Sequence, residues 1–179
     1  VCDPKGVGVL TMTEDPRLFV AGLRELFNTP PFGSLTRRPE LTMLGRTYSS
    51  GFEVDLEEYL LRRPRRLACK ADWPWAVWYP LRRTGAFARL SPKEQGAILR
   101  EHAHIGRAYG EAGFAQDIRL ACNGLDVNDN DFVVGLVGPD LYPLSHLVQS
   151  MRRTIQTSEY IEKLGPFFVG RACWQPALQ

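Results

Sequence analysis

The order of strand-like and helical segments in residues 75–173 constrains the fold of this chain more than any other feature. Apolar, strand-like segments occupy residues 75–79, 114–122, 132–137 and 166–173. Helical patterns occupy residues 91 to about 109 and about 141–164. The sequence therefore predicts the order β-α-β-β-α-β in its C-terminal part.

This order is typical of the ferredoxin-like arrangement. Residues 7–48 contain only β-α-β: a strand over 7–13, a helix over 14–27 and a strand over 41–48, followed by a short helix near 54–62. We therefore predict an α+β protein with two tandem ferredoxin-like halves. Residues 63–179 would form a complete C-terminal half. Residues 1–62 would form an incomplete N-terminal half, whose opening elements either lie upstream of Val1 or are abbreviated.

The helix that begins at Ser91 has the strongest local signal. Ser91 is a good N-cap, Pro92 suits the first helical turn, and Glu94 completes a capping box. Gly110 is expected to end the helix.

One of the three histidines, His102, falls on an unusual face of this helix. Helical spacing places it with Ile98, Ile105 and Tyr109, whereas His104 falls on the solvated side. Gly106, one turn later, lowers the stability of the helix by roughly 1 kcal/mol relative to alanine. A flat cofactor passing close over the helix would explain why a glycine is found there. The helix pattern alone leaves two interpretations open: a hydrogen-bonded core histidine or a metal ligand.

Composition excludes several classes of protein. The formal net charge of +2 gives no reason to expect a nucleic-acid partner. No apolar run approaches the roughly 20 residues that cross a bilayer, so no membrane span is expected. The four cysteines are scattered without a C-x-x-C pair, which argues against structural zinc and favours reduced thiols in a cytoplasmic protein.

Several segments together resemble the coproheme decarboxylases of the chlorite dismutase superfamily. Their order and spacing carry the resemblance, which is good over residues 60–173 and loose over 7–48. The segments are Trp78-Tyr79-Pro80-Leu81-Arg82-Arg83, Leu90-Ser91-Pro92-Lys93-Glu94, Glu101-His102 with Ile105-Gly106-Arg107 and Tyr109, Gly124-Leu125-Asp126, Asp131-Phe132-Val133-Val134, Met151-Arg152, Tyr160, and Gly165-Pro166-Phe167-Phe168-Val169-Gly170.

The resemblance implies that the two halves form a dimeric α+β barrel. It also implies a haem cofactor or substrate, b-type haem or coprohaem, whose iron is bound by His102. It also implies that Tyr79 is the tyrosine that starts oxidation of a propionate; the other interpretation is a buried strand aromatic. Arg66 and Arg83 fall at or near basic positions that contact propionates, although either is equally consistent with a solvated arginine. Thr157 falls near a propionate-contacting serine, or else caps a helical turn.

The residue above the distal face of the haem would separate the activities of the family. Gln116 is favoured and would fit a decarboxylase, while Arg119 would resemble the distal arginine of chlorite dismutases; Asp117 is also open. Strand alternation puts Gln116 and Arg119 on opposite faces unless a bulge intervenes.

The proximal side departs from the family. Relatives often carry a glutamate near Ile155 that accepts a hydrogen bond from the proximal histidine, and neither Ile155 nor the neutral Gln156 replaces it.

Three functions therefore remain open. The first is a peroxide-dependent coproheme decarboxylase, with a porphyrin as substrate. The second is a chlorite dismutase or peroxidase-like haem enzyme. The third is a haem-binding or interaction protein without turnover. The resemblance also implies a homo-oligomer, either a pentamer or a dimer.

Overall fold

The computed structural model describes residues 2–51 and 53–177. The chain divides into two compact units, one formed by Val7–Thr42 and the other by Val1–Gly6 with Met43–Gln179. The expected division into halves at residue 62 remains a prediction.

The unit Val7–Thr42 is built from short helices. Helix α1 spans Arg17–Val20, helix α2 spans Gly22–Asn28, and two single 3₁₀ turns follow at Phe32–Ser34 and Pro39–Leu41. The predicted helix over 14–27 is present but interrupted at Ala21. The predicted strand over 7–13 is wrong: these residues form no ladder, and a strand is stable only when its backbone groups find a partner.

The larger unit contains a five-stranded antiparallel sheet. Along the chain it runs through a π-helical turn at Glu58–Arg62, α3 at Arg63–Ala68, β1 at Trp75–Arg83, α4 at Gly85–Arg89, α5 at Pro92–Glu111, β2 at Gln116–Ala121, β3 at Phe132–Gly138, α6 at Leu141–Met151, α7 at Ile155–Tyr160, β4 at Ile161–Leu164 and β5 at Phe168–Arg171. The sheet order is β2-β3-β1, with β4 and β5 sharing the other edge of β1. The predicted α+β, ferredoxin-like order is confirmed, with one further short strand, β4, before the predicted last strand.

Strands β4 and β5 are separated by a short segment that begins at Gly165. This glycine has φ 99°, a left-handed conformation that glycine adopts without a steric penalty. Before it, β4 pairs with Leu81–Arg83; after it, β5 pairs with Trp75–Trp78.

The second predicted helix, over 141–164, is shorter than expected. Helix α6 ends at Met151, whose carbonyl oxygen accepts a hydrogen bond from the Thr154 hydroxyl at 2.8 Å. Thr154 then caps the start of α7. The last four residues of the predicted helix are strand β4 instead, because they pair with the free edge of β1.

The predicted strand over 41–48 is also wrong. Only Arg46 pairs, through two backbone hydrogen bonds with Ala121 of 2.8 and 2.9 Å. This single bridge lies against the outer edge of β2.

The two faces of the sheet have separate cores. Val77 and Tyr79 of β1 pack with Leu144 and Leu147 of α6 on one face, which we call the α6 face. On the opposite face, Ile118 and Val137 pack with Leu67 of α3 and with Trp73. Within the described part of the chain, no helix is both long enough and apolar enough to cross a membrane.

Candidate site on the α6 face

Helix α5 carries His102 and has an apolar side that is only half-buried. The predicted capping box is confirmed, since the Ser91 hydroxyl accepts from the Glu94 N–H and the Glu94 carboxylate accepts from the Ser91 N–H. The helix has 20 residues, none of which is buried. Its least exposed residues recur at helical spacing and include Ile98, His102, Ile105 and Gly106. The described residues therefore cover this side of the helix only in part.

The imidazole of His102 is kept neutral by its surroundings. Burial lowers the pKa of His102 to about 4, and the positive charge of Arg119 acts in the same direction. His102 Nδ1 lies 3.5 Å from the Thr154 hydroxyl oxygen. His104, by contrast, is exposed, as its helical position predicts. A neutral imidazole is the form that binds a metal ion.

A second polar contact joins α5 to α7 beside His102. The Glu101 carboxylate accepts a hydrogen bond of 2.9 Å from the backbone N–H of Ile155. This role of Glu101 is not visible in the sequence, because a glutamate on a helix surface gives no sign of a partner 54 residues away.

The register across the sheet aligns residues on the α6 face in rows. Tyr79 of β1 lies opposite Val134 of β3, and Val134 lies opposite Arg119 of β2. Residues paired directly across neighbouring strands share a face, so Tyr79 and Arg119 lie about 10 Å apart on the α6 face.

Gln116 lies in a row of the other face. It pairs with Val137, two residues before Ile118, and the register is continuous from Gln116 to Ala121. The bulge that would turn Gln116 toward Tyr79 is therefore absent from this ladder. Its side chain lies instead near Gly110, two helical turns beyond His102.

Tyr79 is buried in the α6-face core. Its ring centroid lies 4.8 Å from that of Phe167. Burial raises the pKa of Tyr79, with a further increase from the negative charge of Asp117. The hydroxyl therefore stays protonated at every physiological pH.

Arg119 is held by neighbouring side chains. Its Nε lies 2.8 Å from Asp117 Oδ2, and its guanidinium donates to the Tyr59 hydroxyl. Arg63 binds the other side of Asp117, with Nη2 3.1 Å from Oδ1. Asp117 thus joins two arginines at the edge of the α6 face.

Arg83 is the last residue of β1, four residues after Tyr79. Its guanidinium carbon lies 4.6 Å from the ring centroid of Phe87 and 4.7 Å from that of Phe132. Its Nε is buried and finds no hydrogen-bond partner among the described residues. Burial lowers the pKa of Arg83. A desolvated guanidinium with an unsatisfied donor is well suited to bind a carboxylate.

The other residues selected from the sequence have different surroundings. Arg66 is exposed and forms an ion pair with Glu58 at 2.6 Å. The Thr157 hydroxyl lies 3.3 Å from that of Thr154, so Thr157 belongs to the His102 side of the site, while Thr154 is the cap. A Cβ at Gly106 would meet only the Met151 methyl, at 3.6 Å.

No cluster of three or more His, Cys, Asp or Glu side chains able to hold a metal ion occurs in the described chain. A single neutral histidine supplies one ligand. The donor set therefore suits a metal whose other ligands come from a cofactor, as in a haem with a single histidine ligand.

The fold and this site define a ferredoxin-like α+β protein with a neutral histidine and a desolvated arginine near one partly covered surface. A family model described as chlorite dismutase matches residues 10–173. The chain therefore belongs to the chlorite dismutase family. A search of curated proteins found no match.

Solved structures with the same fold include a heme-binding protein from Thermus thermophilus. It has a TM-score of 0.55 and 26% identity, covering 69% of this chain and 49% of that one. A mutant chlorite dismutase from Candidatus Nitrospira defluvii in complex with cyanide has a TM-score of 0.66 and 16% identity, covering 86% and 62%. The same organism's chlorite dismutase in complex with imidazole has a TM-score of 0.57 and 16% identity, covering 84% and 61%. The chain thus spans roughly half to three-fifths of the length of these structures.

Proposed function

We propose that this protein binds a haem through His102 and acts as a peroxide-dependent coproheme decarboxylase. The observation that carries the proposal is the neutral His102 on a helix whose apolar side the described residues leave partly uncovered. Membership of the chlorite dismutase family supports it, as does the likeness to a protein whose structure is described as heme-binding.

The residues present fit a porphyrin that carries propionates. The half-buried side of α5 provides an apolar surface for the macrocycle, with His102 in its middle. Arg83 has a buried donor without a partner among the described residues, and a propionate would satisfy it. Arg66 is the weaker candidate for a propionate, because Glu58 already neutralises it.

Tyr79 has the protonation state that the reaction needs. Conversion of one propionate into a vinyl group releases CO₂, one proton and two electrons. One hydrogen peroxide accepts the two electrons, that proton and a second proton from solvent, and becomes two water molecules. The iron, when bound, supplies the oxidising equivalents from peroxide. A buried phenol that stays protonated is suited to give up a hydrogen atom, and Tyr79 is such a phenol.

Arg119, rather than Gln116, is the proposed polar residue near the distal face. It shares the α6 face with Tyr79, and its charge acts on His102. This arginine favours a second candidate function, chlorite dismutation. Among the described residues the neighbour of His102 Nδ1 is the Thr154 hydroxyl and not a carboxylate, which argues against chlorite dismutation, because a neutral hydroxyl withdraws the Nδ1 proton less than a carboxylate does. A homo-oligomer and a cytoplasmic location remain predictions from the sequence.

The test is a titration of the purified protein with iron coproporphyrin, followed by peroxide and mass analysis of the porphyrin. We expect a Soret band, lost in His102→Ala, and loss of two carboxyl groups, abolished in Tyr79→Phe while the Soret band remains. Binding without decarboxylation would leave a haem-binding protein, and oxygen release from chlorite would support the second candidate. No Soret band in the unmodified protein would refute both enzyme functions.

A further inference from the structure

We infer that Thr154 is a positioning residue for His102: its hydroxyl holds the ring with the proton on Nδ1 and leaves the lone pair on Nε2 free for iron. The inference rests on the proposed function, because it assigns a partner to the histidine of the same site.

The contacts of the Thr154 hydroxyl determine whether it donates to His102 or accepts from it. A hydroxyl has one proton to donate and two lone pairs that accept. Its proton goes to the Met151 carbonyl oxygen, at 2.8 Å. That contact is the shortest one this hydroxyl makes. One lone pair accepts from the backbone N–H of Thr157, at 3.4 Å, and the other faces His102 Nδ1, at 3.5 Å. Toward His102, Thr154 therefore accepts, and we assign the proton to Nδ1.

The position of this hydroxyl is fixed by two helices at once. Thr154 is only 1% exposed, and its side chain both ends α6 and caps α7. The Glu101 contact to Ile155 fixes the start of α7 against α5 one residue away. His102 thus faces an acceptor that would lose its 2.8 Å hydrogen bond to the Met151 carbonyl if its proton turned toward the ring.

A neutral acceptor has a chemical consequence. A carboxylate partner draws the Nδ1 proton away and makes the ring a stronger donor to a metal, whereas a hydroxyl leaves the proton on Nδ1. His102 therefore acts as an ordinary neutral imidazole with one fixed tautomer.

The test measures the tautomer in the protein without haem. Nitrogen-15 chemical shifts of His102 at neutral pH should show a protonated Nδ1 and an unprotonated Nε2. Thr154→Val removes the acceptor and should shift the ring toward the Nε2–H tautomer, while Thr154→Ser keeps the hydroxyl and should preserve Nδ1–H. Glu101→Gln is the matched control, because it weakens the link between α5 and α7 without removing the acceptor; Nδ1–H should persist.

If Thr154→Val does not fold, the unmodified protein and Thr154→Ser still decide the question. An Nε2–H tautomer in the unmodified protein, or an unchanged tautomer in a folded Thr154→Val, would overturn the inference. A correct tautomer in a protein that fails to bind haem would refute the proposed function alone. With haem bound, the iron–histidine stretching frequency of the ferrous protein should fall in Thr154→Val and be retained in Thr154→Ser.

Discussion

At the scale of single residues, His102 and Arg83 share one feature: burial works against the charge of each. Burial lowers the pKa of both side chains. For His102 the result is a neutral ring, and for Arg83 it is a desolvated guanidinium between two phenyl rings. Burying such side chains lowers the stability of the protein unless a bound ligand interacts with them and compensates for the loss of water.

The shifted pKa of His102 predicts a dependence of stability on pH. The folded-state pKa, about 4, lies below the ordinary value of 6.5. Between these values the unfolded chain binds a proton that the folded chain does not, so stability falls as pH drops through this window. We expect His102 to account for about 1–2 kcal/mol of the loss between pH 7 and pH 4, allowing for residual exposure.

Urea unfolding of the haem-free protein at pH 7 and pH 4 measures this loss. The loss should shrink in His102→Asn and stay unchanged in the matched control His104→Asn, since His104 is exposed. An equal loss in His102→Asn would show that the ring does not resist protonation.

The two adjacent arginines at the end of β1 allow a matched test of propionate binding. Arg83 has a buried Nε without a partner in the described chain, whereas Arg82 binds the backbone oxygens of Asn128 and Asp129. Arg83→Met should weaken binding of iron coproporphyrin by about 10- to 100-fold, the value of one charge-assisted hydrogen bond. Arg82→Met should leave the Kd within about twofold. Equal effects in an absorbance titration would refute the role of Arg83.

At the scale of elements, α5 is held at its first turn, at its middle and along one side. The capping box fixes its first turn, and the contacts of Glu101 and His102 tie its middle to the segment 154–155. Gly106 lies one turn later and touches only the Met151 methyl in the described chain.

Gly106→Ala tests whether a cofactor passes over this point of α5. The added Cβ has room beside Met151, so the haem-free protein should gain up to about 1 kcal/mol of unfolding free energy. A porphyrin lying over Gly106 would meet the new methyl group, so the affinity for iron coproporphyrin should fall. Gly96→Ala, on the same helix, also has room and should gain stability without a change in affinity. Unchanged affinity in Gly106→Ala would move the porphyrin away from this turn.

At the scale of the whole molecule, the core is uneven. One side of the sheet is covered by α3 and the other by α6, and both cores contain fully buried side chains. The 20-residue α5 and both helices of the unit Val7–Thr42 contain none. We expect α5 to open more readily than the sheet in the haem-free protein.

Binding of the porphyrin should reduce this difference in local stability between α5 and the sheet. Iron coproporphyrin at 100 times its Kd should raise the unfolding free energy by about 2.7 kcal/mol. Hydrogen exchange should slow along α5 and around residues 154–160, with little change in β3. Uniform slowing, or none in α5, would argue that the porphyrin does not lie against this helix.

The sequence by itself determined the features that depend on neighbours along the chain. Helix α5, its capping box and the half-buried face that includes His102 follow from local periodicity and from side-chain-to-backbone hydrogen bonds three residues apart. The order β-α-β-β-α-β follows from the same local patterns, and it determined the fold class. That Gln116 and Arg119 lie on opposite faces also followed, because side chains alternate along a strand, whereas the sequence favoured Gln116 and the tertiary structure put Arg119 on the face of Tyr79.

Only the tertiary structure decided what depends on partners far apart in sequence. Residues 7–13 and 41–48 have strand-like patterns but form no ladder, because a strand exists only where another strand satisfies its backbone. Residues 161–164 continue a helical pattern yet become β4, because the edge of β1 offers them partners. The acceptor beside His102 lies 52 residues away in the sequence. The packing around Arg83 likewise leaves its Nε without an acceptor among the described residues. Local patterns set the elements, whereas long-range packing set which side chains meet at the site.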